Sequence, residues 1–167
     1  MTLQSESDLD ATDWKILREL QQDARLSYNE LGRRVALSAP AAAERVRKLE
    51  DKGVITSYAA QVDPAKVGLP ITVFIQMRCD PGKCLQDQGS PQQFPEVQEM
   101  HILSSNHCSL LKAAVASMSH LTALKERLQT FGALSVHIVN ATALSNRMID
   151  WENPDVDTQA HKDPQWK

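Results

Sequence analysis

The sequence lacks the features that mark membrane proteins, disulfide-bonded secreted proteins and most enzymes. Its 167 residues contain no run of about 18 apolar residues, and its first ten residues resemble no signal peptide. Three cysteines without a Cys-x-x-Cys spacing predict free thiols. No nucleophile elbow, phosphate loop, dinucleotide fingerprint or HExxH pair occurs, so we expect no catalytic residues, metal or cofactor. These absences predict a cytoplasmic protein that is not an enzyme and does not bind membranes.

Acidic residues slightly outnumber basic ones in the chain as a whole, but basic residues are concentrated in one segment. The formal net charge is -3, which argues against a surface that is basic all over. Residues 33–52 nevertheless contain six basic side chains against three acidic ones. Any surface that binds nucleic acid is therefore expected to be local and to lie in this segment.

Helical periodicity with capping residues continues to about residue 55 and predicts three short helices. Asp10 is placed to cap the first helix, and Ser27 with Glu30 forms the sequence pattern of a capping box for the second. Ser38 is placed to cap the third helix after a connection of only three residues, 36–38. Three short helices with a tight connection between the last two predict a helix-turn-helix, whose third helix lies in the DNA major groove.

The third helix divides into an inner and an outer face. Ala42, Val46 and Leu49 follow the helical period and are predicted to face inward. On the outer face, Glu44 can accept a hydrogen bond from a cytosine amino group, and Arg47 can reach guanine or phosphate. The alternative is a small helical domain whose charges are merely solvated. The predicted DNA-binding residues are Ser27, Tyr28, Arg33, Arg34, Ser38, Ala39, Pro40, Ala43, Glu44, Arg45, Arg47, Lys48 and Lys52.

From about residue 58 the apolar residues alternate, which predicts strands. The order strand, helix, strand, strand, helix, strand predicts a ferredoxin-like βαββαβ sandwich and an α+β fold. Glycines and prolines leave room for only a short or broken first helix in this half. We predict a helix-turn-helix domain at 1–57, a strand linker at 58–68, a ferredoxin-like assembly and ligand domain at 69–145, and a polar, loosely ordered tail at 146–167.

Residues 9–68 carry a more specific resemblance. The segments LDATDWKIL, LQQDAR, LGRRVALS and ERVRKLEDKGVI, with the later PEV, resemble the Lrp/AsnC family, the feast/famine transcription regulators. The resemblance extends to about residue 143 and is weaker in the second half. It implies a winged or plain helix-turn-helix joined by a strand to a ferredoxin-like domain, dimers that assemble to octamers, and a small-molecule effector bound between dimers.

The same resemblance implies that an effector cleft is lined by the predicted hairpin at residues 104–108. Where the family has a Gly-x-x-Asp type of loop, this chain has Ser105 in place of the glycine and Cys108 in place of the acid. The carboxylate that would pair with a ligand ammonium group is missing, so we predict a weak or absent response to leucine and similar amino acids. The alternative is a carboxylate supplied by another segment, such as Glu96 or Glu99 of a partner chain. The predicted effector-binding residues are Ser104, Ser105, Asn106, His107 and Cys108.

The cysteines and histidines could alternatively form a metal site, because thiolate and imidazole are the usual zinc ligands. Cys79, Cys84, His101, His107 and Cys108 match no structural zinc spacing, so the sequence predicts no metal site. The complete hypothesis is an oligomeric, sequence-specific transcription regulator that binds double-stranded DNA and is open to control by a small molecule. The alternative is an architectural nucleoid protein that wraps or bridges DNA without effector control.

Overall fold

A computed structural model describes residues 9–80, 82–88, 91–104 and 108–150. The chain divides into two compact units. The described part of the first unit consists of residues 9–59 and 144–150, and the second unit covers residues 60–143. The predicted separation of a linker at 58–68 and a tail at 146–167 is finer than this division and stays a prediction.

The first unit contains three helices, as predicted. They are α1 (Ala11–Gln22), α2 (Tyr28–Val35) and α3 (Ala39–Asp51). The Asp10 carboxylate accepts hydrogen bonds from the backbone amides of Thr12 and Asp13, and Asp13 completes a capping box. Ser27 and Ser38 cap α2 and α3, so all three predicted helix starts are confirmed.

The predicted capping box of α2 is only half correct. Among the described residues, the Ser27 hydroxyl accepts from the Glu30 amide, which is the first half of the box. The Glu30 carboxylate does not complete the box, because it accepts hydrogen bonds from Arg33 and Arg34. A charged guanidinium is a stronger donor than a backbone amide, which accounts for this exchange of partners.

The connection between α2 and α3 is fixed by close backbone packing. Ala36 ends α2 in the left-handed conformation, with φ of 59° and ψ of 42°. A Cβ atom at Gly32 would lie 2.6 Å from the carbonyl oxygen of Leu37, a distance that real side chains do not tolerate. Glycine at position 32 therefore lets the turn approach α2 and sets how α3 leaves it.

An apolar core holds the three helices together. Ile16 of α1, Leu31 and Val35 of α2, and Val46 and Leu49 of α3 are buried in it. Ala42 is also buried, so the predicted inner face of α3 is confirmed. In the predicted strand linker at 58–68, residues 58–63 form no strand within the described chain, and Pro64–Val67 form a 3-10 turn.

The last two described residues of the predicted tail, Ile149 and Asp150, contact α1. The Arg18 guanidinium lies 2.9 Å from the Asp150 carboxylate. The Gln21 side-chain amide exchanges two hydrogen bonds with the backbone of Ile149, at 3.0 and 2.8 Å. These polar contacts hold residues 149 and 150 against the first unit, and residues 151–167 lie outside the described chain.

The second unit has the predicted ferredoxin-like topology. Its elements are β1 (Ile71–Cys79), α4 (Leu85–Gln88), β2 (Val97–Ile102), β3 (Ser109–Val115), α5 (Met118–Leu128) and β4 (Gly132–Ile138), preceded by a 3-10 turn at Pro64–Val67. The strands form one antiparallel sheet in the order β2-β3-β1-β4. The first helix is only four residues long, as the glycines and prolines around it predicted.

The two faces of this sheet differ. Val73, Ile75 and Met77 of β1 are fully buried in a core that α5 completes with Leu121, Leu124 and Leu128. On the other face, Phe74 pairs with Lys112 of β3 and His137 of β4, and neither Phe74 nor its partners belong to the buried core. The predicted alternation of β1 is confirmed. In the described parts of the chain, the helices are too short or too polar to cross a bilayer.

A buried glutamate joins β2 to α5. Glu96 is 8% exposed, and its carboxylate binds the Nε2 atom of His120 at 3.0 Å and the guanidinium of Arg127. The Arg127 guanidinium also lies over the ring of Phe94, 5.4 Å from its centroid. Burial alone would raise the pKa of Glu96, but hydrogen bonds from its own backbone, His120 and Arg127 outweigh burial and hold this pKa below its ordinary value.

Candidate nucleic-acid interface

The N-terminal half of α3 presents small side chains to the outside. The Ser38 hydroxyl caps the helix by accepting from the Ala41 amide at 3.4 Å, and Pro40 lies in the first turn, where a missing N–H is harmless. Pro40 and Ala41 are exposed, whereas Ala39 and Ala43 are half-buried. The sequence pattern did not single out Ala41. Because residues 39–43 have only small side chains, the backbone of α3 can closely approach another surface here.

Exposed charges follow directly on the same helix. Arg47 and Lys48 each have side chains that are 66% exposed. The guanidinium of Arg47 binds the Glu44 carboxylate, and Nζ of Lys48 lies 3.9 Å from that carboxylate. Exposed pairs of this kind contribute between zero and about 1 kcal/mol to stability. Arg47 can therefore leave Glu44 for a DNA acceptor at little cost in free energy.

The basic residues of α2 form a second exposed group. Arg33 and Arg34 both bind Glu30 at 2.8 Å, and Arg34 also binds Glu19 of α1 at 2.9 Å. Hydrogen bonds from Arg33 and then from Arg34 hold the pKa of Glu30 below its ordinary value. Arg33 is the more available of the two, because its side chain is 77% exposed whereas that of Arg34 is 41% exposed.

Arg45 lies in a different environment from the other predicted DNA-binding residues. Its Nη1 atom donates to the carboxylates of Asp10 and Asp13, both at 2.7 Å. The backbone amide of Asp13 and then the Arg45 guanidinium hold the pKa of Asp10 below its ordinary value. Arg45 thus joins the middle of α3 to the capped start of α1. Its charge serves a contact within the unit, which its place in the basic segment did not indicate.

The other predicted DNA-binding residues lie at helix ends. Ser27 and Tyr28 are exposed at the start of α2, where backbone amides point outward and favour anions. Lys52 is exposed and ends α3. The structure thus gathers exposed members of the predicted set along α3 and the start of α2.

A pocket that the sequence did not indicate lies beside α1 in the first unit. Its volume is about 320 Å³, a size that small-molecule sites also reach. Its lining is mainly apolar and includes Trp14, Leu17, Tyr58 and Ile149. The Tyr58 hydroxyl donates to Glu50 at 2.8 Å, and burial together with this hydrogen bond raises the pKa of Tyr58 to about 12. The phenol therefore stays neutral at physiological pH.

The predicted effector segment is described only at its two ends. Ser104 follows β2, and Cys108 precedes β3, whereas Ser105, Asn106 and His107 lie outside the described residues. The Cys108 sulfur accepts a hydrogen bond from the Cys79 amide at 3.2 Å. The sulfur atoms of Cys79, Cys84 and Cys108 all lie within 4.8 Å of one another. The sequence spacing gave no sign of this grouping.

Comparison with known proteins agrees with this geometry. Residues 9–56 match the family model described as winged helix-turn-helix DNA-binding. The leucine-responsive regulatory protein of Escherichia coli (strain K12) is 40% identical over 115 residues, which are 67% of this chain and 70% of that protein.

Solved structures extend the similarity to both units. The transcriptional regulator NMB0573 from Neisseria meningitidis, in complex with L-Met, has a TM-score of 0.79 and 28% identity, over 86% of this chain and 97% of that one. The feast or famine regulatory protein Rv3291c from M. tuberculosis, complexed with L-methionine, has a TM-score of 0.76 and 30% identity, over 83% and 97%.

The fold and the exposed face of α3 define the class of the protein, a DNA-binding regulator with a helix-turn-helix and a ferredoxin-like unit. Within that class, the chain belongs to the Lrp/AsnC family of transcription regulators. The resemblance found in the sequence is confirmed.

Proposed function

We propose that the protein is a sequence-specific regulator that reads the DNA major groove with the outer face of α3. The observation that carries this proposal is the arrangement on α3, where small exposed residues are followed by the exposed charges of Glu44, Arg47 and Lys48. Small side chains allow the backbone to approach the bases and allow methyl groups to meet thymine methyls. The charged residues one to two turns later then reach base edges and phosphates.

The predicted residues divide into three roles in this proposal. Glu44 and Arg47 read base edges, because a carboxylate accepts from cytosine and a guanidinium donates two hydrogen bonds to guanine. The phosphate-binding side chains determine affinity more than sequence choice. Arg45 positions α3 through its contacts with Asp10 and Asp13. The proposed phosphate-binding residues are Ser27, Tyr28, Arg33, Arg34, Lys48 and Lys52.

Selection of binding sites from random duplex DNA, followed by footprinting on the protein's own promoter, tests this function. We expect the selected site to bind about a thousandfold or more tightly than random duplex at the same salt concentration. A protein that wraps DNA would instead follow bendability, with protection over long stretches and little base preference. That outcome would favour the architectural alternative.

We further propose that the second unit assembles the protein through the sheet face opposite α5. This face carries Phe74 in its centre and Leu110 of β3 beside it, and both are half-buried in the single chain. An antiparallel sheet with apolar residues on both faces gains stability when a second sheet covers the outer one. Closed symmetry makes a dimer the minimum unit, from which the octamer implied by the family resemblance can be built.

Light scattering tests the assembly. The wild type should be at least a dimer at micromolar concentration, and Phe74→Glu should shift it toward the monomer. Gln98→Glu, which adds the same charge at an exposed position of β2, should leave the mass unchanged. A monomeric wild type would contradict the assembly but not the DNA-binding face of α3.

A third proposal concerns the response to small molecules. Two solved relatives are complexes with L-methionine, which supports control by a small molecule. This chain has a thiol, Cys108, where an acid would pair with the ammonium group of an amino acid. We propose that α-amino acids bind weakly and that DNA binding needs no ligand. Calorimetric titration would contradict this if an amino acid bound with micromolar affinity and lost it on Asn106→Ala.

A further inference from the structure

The fold brings together all three cysteines of the chain, two of which are close in sequence while the third lies 24 residues further on. Cys79 is the last residue of β1, Cys84 precedes α4, and Cys108 precedes β3. Their sulfur atoms lie within 4.8 Å of one another, and all three residues are half-buried. The sequence contains three cysteines, so the cluster includes every one of them.

The backbone on the β1 side of the cluster is held from both neighbouring strands. The Cys108 amide donates to the Met77 carbonyl at 2.8 Å, and the Cys79 amide donates to the Cys108 sulfur at 3.2 Å. On the opposite side, Gly132 packs so closely that a Cβ there would lie 2.8 Å from the Cα of Cys79. The positions of Cys79 and Cys108 therefore follow from the sheet itself.

Cys84 is positioned by the residues that follow it. Leu85, its neighbour, is fully buried in the core beneath the sheet. The Cys84 carbonyl accepts from the Asp87 amide at 2.9 Å, which closes the first turn of α4. The third sulfur is thus positioned by the packing of Leu85 in the core rather than by a hydrogen bond of the sheet.

We infer that Cys79, Cys84 and Cys108 form a binding site for a thiophilic metal ion of the Zn²⁺ or Cu(I) class. Thiolates are the ligands that these ions prefer. An ion with metal–sulfur bonds of about 2.3 Å holds three sulfurs roughly 4 Å apart, which the observed cluster reaches with little movement. The site supplies three protein ligands, so Zn²⁺ would keep one position for water, whereas Cu(I) is satisfied by three sulfurs.

The balance of the binding step is simple. Each of the three thiols loses its proton to solvent as its sulfur bonds to the ion, and no electron is transferred. A disulfide is the competing chemistry, since any two of these sulfurs can be oxidised to a bond of about 2.05 Å. A disulfide would leave the third sulfur without a role, whereas a metal ion uses all three.

The bound ion would tie the predicted effector hairpin to the end of β1 and the start of α4. This inference does not rest on the proposed reading of DNA by α3, because the cysteines lie in the second unit. Loss of metal binding and loss of DNA binding are therefore separate outcomes.

Titration of the reduced full-length protein with Cd²⁺ or Cu(I) tests the site. We expect one ion per chain, a thiolate-to-metal charge-transfer band in the ultraviolet, protection of three thiols from a thiol-modifying reagent, and a higher melting temperature. Zn²⁺ should compete with Cd²⁺ for the same site.

Variants separate the cluster from other ligands. Cys84→Ser, which changes a residue outside the strands, and Cys108→Ser should each abolish the stoichiometric band while circular dichroism shows the fold intact. His101→Ala, an exposed histidine on β2, should leave binding unchanged. The inference is overturned if a folded Cys84→Ser protein retains the band, or if the reduced wild type binds no ion and forms only a disulfide on oxidation.

Discussion

The two units use carboxylates of the same type in opposite ways. In the first unit, Glu30 and Glu44 bind arginines at the surface, where those arginines remain largely exposed. In the second unit, Glu96 is 8% exposed and binds His120 and Arg127 beneath the sheet edge. Water screens the first kind of pair, whereas a buried carboxylate depends on its partners. Burial thus separates ion pairs that hold the fold from ion pairs that stay exchangeable for a binding partner.

The largest expected effect is that of Glu96→Ala on folding. Removing this carboxylate leaves His120 and Arg127 without their shared partner and should lower the free energy of unfolding of the second unit by about 3 kcal/mol. Hydrogen exchange of the β3 and α5 amides measures this loss. The matched control is Glu126→Ala, which changes an exposed glutamate on α5. It should alter the free energy of unfolding by less than about 0.5 kcal/mol. Equal effects of the two variants would remove the distinction between the units.

Arg47→Ala should have the next largest effect, and on binding rather than folding. Losing a base contact should weaken binding to the selected site by about 1 to 3 kcal/mol, while the free energy of unfolding stays nearly constant. Lys48→Ala should weaken all sequences alike and reduce the salt slope by about one. Lys66→Ala, an exposed lysine of the second unit, controls for the change in charge. If neither α3 variant affects binding while the control behaves as expected, α3 is not the reading helix.

Arg45→Ala tests an ion pair whose burial is intermediate between that of the Glu44–Arg47 pair and that of Glu96 with its partners. Its side chain is 34% exposed and that of Asp13 is 14% exposed. We expect thermal or denaturant unfolding of the first unit to show a loss of about 1 kcal/mol, since the pair is charged but only partly screened. DNA binding by the folded variant should fall less than for Arg47→Ala. The reverse order would assign Arg45 to the DNA contact.

Glu30→Gln should have the smallest effect on stability. The dependence of unfolding on acid pH distinguishes Glu30 from Glu96. Both glutamates have a pKa below the ordinary value in the folded protein, so both stabilise it above about pH 4.3. That stabilisation is lost as the pH falls through the folded pKa. Acid titration of unfolding should change little in Glu30→Gln, whereas Glu96→Gln should lose much of the wild-type dependence. A large change in Glu30→Gln would show that exposed pairs also hold this fold.

Much of the fold could be predicted because its signals are local. The caps at Asp10, Ser27 and Ser38 involve amides two or three residues away, and all three mark helix starts in the structure. The alternation of β1 likewise comes from neighbouring residues and is confirmed by the burial of Val73 and Ile75. Capping and periodicity depend on spacing along the chain, which a sequence displays directly.

The partners of charged and sulfur-containing side chains could not be predicted in the same way. Arg45 and Asp10 are 35 residues apart in sequence yet bind at 2.7 Å. The basic segment that indicated DNA binding thus contains two arginines, Arg34 and Arg45, that bind carboxylates of α1 or of its cap. Nothing in the sequence marks Glu96 as buried beside His120, because the two residues are 24 positions apart and belong to different parts of the fold.

The sequence by itself determined the order of the helices and strands, the inner face of α3 and the family of the protein. Only the tertiary structure decided which charged side chains pair within the fold and which stay exposed. Only the tertiary structure brought together Cys79, Cys84 and Cys108. Helix and strand formation depends on residues a few positions apart, so the pattern along the chain suffices. Contacts between segments depend on how the sheet pairs and how the core packs, and closing those long loops costs entropy that no local pattern records.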